Sequence, residues 1–221
     1  MCIIMIEELY AEVKRMKELR LLGKKIDLEN SPLLLSYQPD ENWQKIFRRL
    51  RGKWSVENGW LIGEETGNFG GILLTHEFYE KDVMFSFTMA SVLPATRDLN
   101  ALFCARVDEE NEYLGDSYVC GLNGWYEHKS GIERNPQPGL NATTALYHYE
   151  PGKEIRMICG AIGGHCFMVV DGELVSELFD PAPIRGGHVG FSPYCTKLRI
   201  KDIEVREIKW EEFPQVYEPE F

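Results

Sequence analysis

Basic side chains are scarce: 24 Lys and Arg stand against 35 Asp and Glu, a formal net charge of 24 − 35 = −11. A field of that sign argues against a binder of nucleic-acid phosphates or of anionic membranes, while leaving neutral ligands such as sugars open. No two of the six cysteines (Cys2, Cys104, Cys120, Cys159, Cys166, Cys195) form a Cys-x-x-Cys pair. Four of them, Cys104, Cys120, Cys159 and Cys166, fall in apolar, strand-like runs, where a free thiol packs as a small hydrophobe, so reduced and buried thiols are expected. The five histidines, His76, His128, His148, His165 and His188, show neither His-Glu-x-x-His nor a spacing with cysteine that resembles a zinc site. Gly160-Ala161-Ile162-Gly163-Gly164 lacks the Gly-Lys-Ser/Thr ending of a phosphate loop and precedes a strand, which argues against a nucleotide site. Met1 to Ile6 are apolar, but Glu7 and Glu8 follow at once, with no basic n-region and no small-residue cleavage site. The segment therefore reads as neither a signal peptide nor a membrane span, and a start at Met1 or at Met5 fits equally. A cytoplasmic address is expected, which leaves the Asn141-Ala142-Thr143 sequon without consequence.

Aromatics are plentiful at 12%, which excludes disorder, and 221 residues suffice for one large domain with its own core. Ile3, Ile6, Leu9, Val13, Met16 and Leu19 recur at helical spacing, and Gly23 offers a stop, so a helix is predicted over residues 3–22. It docks on its own domain or, being nearly heptad-spaced, pairs with another chain and supports a homo-oligomer or a partner protein. From Lys53 onward the pattern is strand and turn. Asn58-Gly59 and Asp171-Gly172 mark hairpins over 54–63 and 167–176, and further strands are read near 72–75, 82–92, 99–107, 117–123, 129–134, 143–148, 154–161, 187–194 and 198–208. About thirteen short strands predict an all-β, two-sheet antiparallel sandwich. The expected organisation is a helix and connector over 1–30, the sandwich over 31–210 and an extended tail over 211–221.

Within the strand at 99–107, Leu99, Ala101, Phe103, Ala105 and Val107 form an apolar face. Asn100 and Arg106 project from the other face with Leu102 and Cys104, the mixture expected where a sheet curves around a ligand groove.

Several segments in order carry a resemblance: Trp54-Ser55-Val56-Glu57-Asn58-Gly59-Trp60-Leu61-Ile62-Gly63, a strand with Phe85 and Phe87, Asp171-Gly172 between two strands, Gly186-Gly187-His188-Val189-Gly190-Phe191, and Leu198-Arg199-Ile200-Lys201-Asp202-Ile203-Glu204-Val205. Residues 54 to 208 resemble the concanavalin A-like lectin/glucanase jelly rolls, especially the bacterial branch typified by the 3-keto-disaccharide hydrolase domain. The resemblance implies a jelly roll whose concave sheet binds a carbohydrate, with or without hydrolysis of a glycosidic bond, because this fold hosts lectins and hydrolases alike. It also implies a structural calcium ion near the last strand, where Asp202 lies. Laminarinase-type members carry Glu-x-Asp-x-x-Glu; the nearest segment here, Glu80-Lys81-Asp82-Val83-Met84-Phe85, lacks the final acid.

The segment Tyr118 to Arg134 concentrates the residue types that sugar recognition needs, an aromatic platform for the C–H face of a pyranose and polar groups for its hydroxyls. Tyr118 and Trp125 are the candidate stacking surfaces. Asn100, Asn123, Arg106, Lys129 and Arg134 are the candidate polar contacts. Glu127 or Glu133 is the candidate acid/base, with His128 beside them. Two readings follow: a carbohydrate-active protein that binds and in one form hydrolyses a glycoside, and a non-catalytic accessory or assembly protein that uses the sandwich as a scaffold.

Overall fold

A computed structural model describes residues 17–67, 70–125, 128–136 and 139–214. Turn chemistry divides the chain as expected. Asn58 and Gly59 (φ 52° and 77°) and Asp171 and Gly172 (φ 50° and 88°) take the left-handed conformations of a tight hairpin turn, which Asn, Asp and Gly adopt at least cost.

Two large antiparallel sheets result. The first has eight strands in the spatial order β17 (Glu173–Phe179), β16 (His165–Val170), β15 (Ile155–Ile162), β8 (Val83–Ser91), β19 (Thr196–Glu207), β6 (Trp60–Glu65) and β5 (Lys53–Glu57), with β3 (Leu33–Tyr37) pairing the far end of β19 as the eighth. The second has seven: β14 (Asn141–Thr144), β13 (Lys129–Asn135), β12 (Ser117–Gly124), β9 (Leu99–Ala105), β18 (His188–Phe191), β7 (Ile72–Thr75) and β4 (Phe47–Arg51). Alternate side chains from both fill one core, among them Phe85, Phe87 and Met89 of β8, Met157 of β15, Phe103 of β9, Tyr118 of β12 and Phe191 of β18. Cys120, Cys159 and Cys166 are buried there as free thiols. Burial raises the Cys166 thiol well above its ordinary range and does the same for Cys159.

Small elements cover part of each outer face. β1 (Glu18–Leu21), β2 (Lys24–Asp27) and β20 (Trp210–Glu212) form a three-stranded sheet. Its Leu19, Leu21 and Ile26 pack on Met84, Ile158, Ile162, Phe167 and Val169 of the eight-stranded sheet. On the seven-stranded sheet, the hairpin of β10 (Val107–Asp108) and β11 (Tyr113–Leu114) places Val107, Tyr113 and Leu114 over Leu50, Ile72, Leu74, Leu102, Ala105 and Val119. Its turn is tied down by a two-pronged Arg48–Glu109 ion pair, both contacts at 2.9 Å, and by Arg51 lying 4.8 Å from the centre of the Tyr113 ring.

The predicted helix over 3–22 is corrected where the structure describes it. Residues 18–21 form a strand: Leu19 and Leu21 are buried on one side while Arg20 points to solvent, and Gly23 (φ 72°) sits in the β1–β2 turn. Two leucines with period two, facing a ready apolar sheet, outweigh the helical spacing of the upstream residues. The rest of that helix, and with it the assembly role, falls on residues outside the described set. The strand read at 143–148 is Asn141–Thr144, and the strands β2, β3, β4, β10, β11 and β20 add to those read from sequence. Among the described residues, no helix is long and apolar enough to cross a membrane.

Candidate functional site

The more exposed part of the seven-stranded sheet's outer face lies over β13, β14 and the Asn100 end of β9, while β12 between them is buried along its length. Cys120, Leu122 and Ile132 turn into the core, so their neighbours Val119, Gly121, Gly131 and Glu133 face outward. Register aligns them in two rows: Asn100, Gly121, Gly131 and Thr143 in one, Leu102, Val119, Glu133 and Asn141 in the other. The paired glycines Gly121 and Gly131 carry no side chain and are both buried. The Asn100 amide lies directly over Gly121, since a Cβ there would come within 2.0 Å of Asn100 Oδ1. Glycine at 121 is therefore what lets the amide lie flat across the strand.

At one end of this trough three residues are held in the left-handed region: Asp98 (φ 55°), Trp125 (φ 52°) and His128 (φ 54°). For a tryptophan that conformation is strained, and such strain concentrates where a side chain must be aimed. The Trp125 indole N–H donates to Glu133 Oε2, which joins the β12–β13 turn to the trough wall. Asp98, one residue before β9, sits beside Gly124: a Cβ there would lie 3.0 Å from Asp98 Oδ1. Burial pushes the Asp98 carboxyl up to about 6; the Glu133 charge adds to the rise, while the charges of Arg97 and His128 and a hydrogen bond from Asn100 oppose it. Arg97 Nε lies 3.4 Å from Asp98 Oδ2.

Asn123 fixes this end from below. A bulge at φ 54° turns its amide inward, where Nδ2 donates to Thr96 O and Tyr149 O, both at 3.0 Å. Those two bonds hold the loop that carries Asp98 against the loop after β14. Asn123 thus positions the site from inside the molecule and does not line it.

The sequence-predicted residues divide by face. Asn100, Trp125, His128 and Glu133 gather at the trough, and Lys129 opens β13 opposite Gly124. Glu127 lies outside the described residues. Tyr118 is fully buried: its hydroxyl donates to Asp180 Oδ2 at 2.7 Å and accepts the Ile184 N–H. Arg134 also turns inward, donating to Asp180 and to Ala182 O. Arg106 lies beyond β9, its guanidinium 4.6 Å from the centre of the Phe78 ring and bonded to Arg185 O. Asp98 is the participant that the reading of the sequence missed. Its one local signal is an acid placed immediately before a strand whose next outward residue is Asn100.

The surroundings of Asp202 do not fit calcium, which needs six or more oxygen ligands. Its carboxylate already accepts from Gln38 Nε2 and Thr88 Oγ1, and its backbone carbonyl takes the Arg156 guanidinium at 2.6 Å. That is a set of donors and one cation where a metal would require acceptors. Among the described residues, no group of three or more His, Cys, Asp or Glu side chains is placed to hold a metal ion.

No protein-family model and no curated protein sequence matches the chain. Solved structures do. A Bacillus subtilis protein of unknown function with a galectin-like fold matches with a TM-score of 0.66 at 12% identity, over 80% of this chain and 96% of that one. The carbohydrate binding module CBM66 from Bacillus subtilis matches with a TM-score of 0.59 at 13% identity, over 72% of this chain and 94% of that one. The kappa-carrageenase of Pseudoalteromonas carrageenovora, solved with an oligotetrasaccharide of kappa-carrageenan, matches with a TM-score of 0.56 at 9% identity, over 88% of this chain and all of that one. At such identities the likeness is one of fold: the chain has the concanavalin A-like jelly-roll architecture that its sequence resembles.

Proposed function

We propose that the protein binds a carbohydrate in the trough on the outer face of its seven-stranded sheet. The observation that carries the reading is the convergence of Trp125, Asn100, Asp98 and Glu133 around the paired glycines Gly121 and Gly131. An aromatic ring offers an apolar surface to the C–H face of a pyranose, while an amide, a carboxylate and an acid that keeps its proton in mild acid offer donors and acceptors to hydroxyls. Two of the structural neighbours are named for a carbohydrate or solved with one, which supports this choice among the ligands such a fold accepts. The free thiols Cys104, Cys120, Cys159, Cys166 and Cys195 support a reducing, cytoplasmic address.

The test is a titration of the protein's tryptophan fluorescence, with calorimetry beside it, against a panel of neutral and acidic oligosaccharides. Saturable binding is expected, and Trp125→Ala is expected to weaken it about thirtyfold, the scale of an aromatic anchor worth about 2 kcal/mol. No binding across the panel, or equal affinity in the variant, would overturn the reading.

One observation favours a second reading, hydrolysis of a glycosidic bond: a carboxyl that keeps its proton to about pH 6 stands close enough to Glu133 to feel its charge. In that reading Asp98 gives its proton to the leaving oxygen, and Glu133 takes the proton of the attacking water or attacks the sugar carbon itself. Cleavage of alkyl glycosides or oligosaccharides that bind the wild type, whose alkoxide leaving groups need the proton, is the expected result, and it should be lost in Asp98→Asn. Binding without cleavage leaves the protein a lectin.

A further inference from the structure

We propose that His165 is an acid-sensitive latch: through Lys24 and Glu177 it holds the small sheet of β1, β2 and β20 on the eight-stranded sheet at neutral pH and releases it in mild acid. The inference is independent of the trough and of any ligand. His165 begins β16 and is only 3% exposed. Its Nδ1 lies 3.1 Å from Lys24 Nζ of β2, and its Nε2 lies 2.6 Å from Glu177 Oε1 of β17. The same Glu177 oxygen accepts the N–H of Leu22 in the β1–β2 turn at 2.9 Å, and the Phe179 ring stacks on the imidazole at 4.0 Å.

An ammonium can only donate, so His165 Nδ1 must accept from Lys24, and the ring proton resides on Nε2, directed at Glu177. The neutral ring thus satisfies both neighbours. A second proton would occupy Nδ1, leaving two positive donors facing each other at 3.1 Å with no acceptor between them. Lys24 would have to withdraw toward the faces of Phe179 and Trp210, whose ring centres lie 6.0 and 5.5 Å from its nitrogen.

The charged groups that face the ring are Lys24 from β2 and Glu177 from β17; β15 contributes Ile162 opposite it in register, and β20 contributes Trp210 beside Lys24. The acids of β20, Glu211 and Glu212, are exposed, and Glu211 pairs with Lys25. Burial, with the Lys24 charge, pulls the His165 pKa below its ordinary value against the pull of Glu177. A histidine lowered in this way supplies docking energy that is full above about pH 6.5, its ordinary value, and drains as the pH falls below it. Glu18, held below the ordinary carboxylate range chiefly by Arg20, stays ionised through that window and does not mimic the effect. What the latch covers is apolar: Met84, Ile158, Ile162, Phe167 and Val169 lie beneath Leu19, Leu21 and Ile26.

Amide hydrogen exchange of the full chain at pH 7.5 and 5.5, corrected for intrinsic rates, tests the latch. Peptides spanning residues 18–27 should lose protection by up to about tenfold for the pH unit below 6.5, the limit for uptake of one proton on opening. Protection across Val83–Ser91 should stay constant. His165→Gln, which keeps a donor and an acceptor but cannot titrate, should abolish the pH response. Lys24→Met, which removes the opposing charge at a partly exposed position, should shrink it. Equal protection of residues 18–27 at both pH values, or an undiminished response in either variant, would overturn the latch; Lys24→Met alone decides if His165→Gln does not fold.

Discussion

Asp180→Ala is expected to destabilise the protein by about 3–5 kcal/mol, measured as a fall in the urea midpoint at unchanged slope. The Asp180 side chain is 2% exposed and gathers three donors in four contacts: the Tyr118 hydroxyl at 2.7 Å, Arg134 Nη1 at 3.0 Å to one oxygen and 3.3 Å to the other, and the Ala182 N–H at 2.8 Å. Removing the carboxylate leaves a guanidinium and a hydroxyl facing a cavity, with the desolvation of the cation no longer offset. Asp180→Asn keeps the volume and one acceptor, so it should cost less. Tyr118→Phe, which removes only one neutral donor, should cost about 1–2 kcal/mol. Equal losses in all three would mean that packing, and not the charge network, holds the 180–184 segment on the sandwich.

Asp98→Asn should do the opposite and stabilise the protein at pH 7.5. A carboxyl raised from an ordinary 3.8 to about 6 binds more protons folded than unfolded between those pH values, so stability falls as the pH climbs through them. The full difference amounts to about 3 kcal/mol, and roughly 2 kcal/mol after solvent screening. Asparagine carries no such charge, so its advantage should be absent below about pH 4, grow between about pH 4 and 6 and be full above about pH 6, in thermal or urea unfolding measured across the range. The same substitution should reduce glycoside turnover in the hydrolytic reading. A mostly buried carboxyl that weakens the fold at neutral pH beside the candidate site is the pattern of a functional group tolerated at a cost in stability. No gain at neutral pH would mean that Asp98 is better solvated than its surroundings imply.

How much of this was legible in the sequence depends on the range of the interaction. Asn58-Gly59 and Asp171-Gly172 announced their hairpins because the turn energy is local. The alternation in Leu99 to Phe103 announced a core face and an outward Asn100, because a pleat is local too. Trp125, His128 and Glu133 came from one short segment and stayed together. Tyr118 and Arg134 came from the same segment but lie on the other face: Ile132 points inward, so Glu133 points out and Arg134 in again, a phase the sequence held but composition alone concealed. The partnership of Asp98 with Glu133 was not legible, since it depends on the register carried from β9 through β12 to β13. At the N-terminal side, the fate of Leu19 and Leu21 was decided by the apolar face waiting on the eight-stranded sheet.

The β10–β11 hairpin gives the trough a direction. Clamped by Arg48–Glu109 and seated on Leu74 and Leu102, it crosses the outer face from β9 to β4 like a bar across a gutter. It lies over Val119 of β12 as well, so the outer face beside it runs from β14 over β13 to the Gly121 end of β12. In the proposed reading a ligand would reach the site from the β14 edge of the sheet, with the hairpin on its other side.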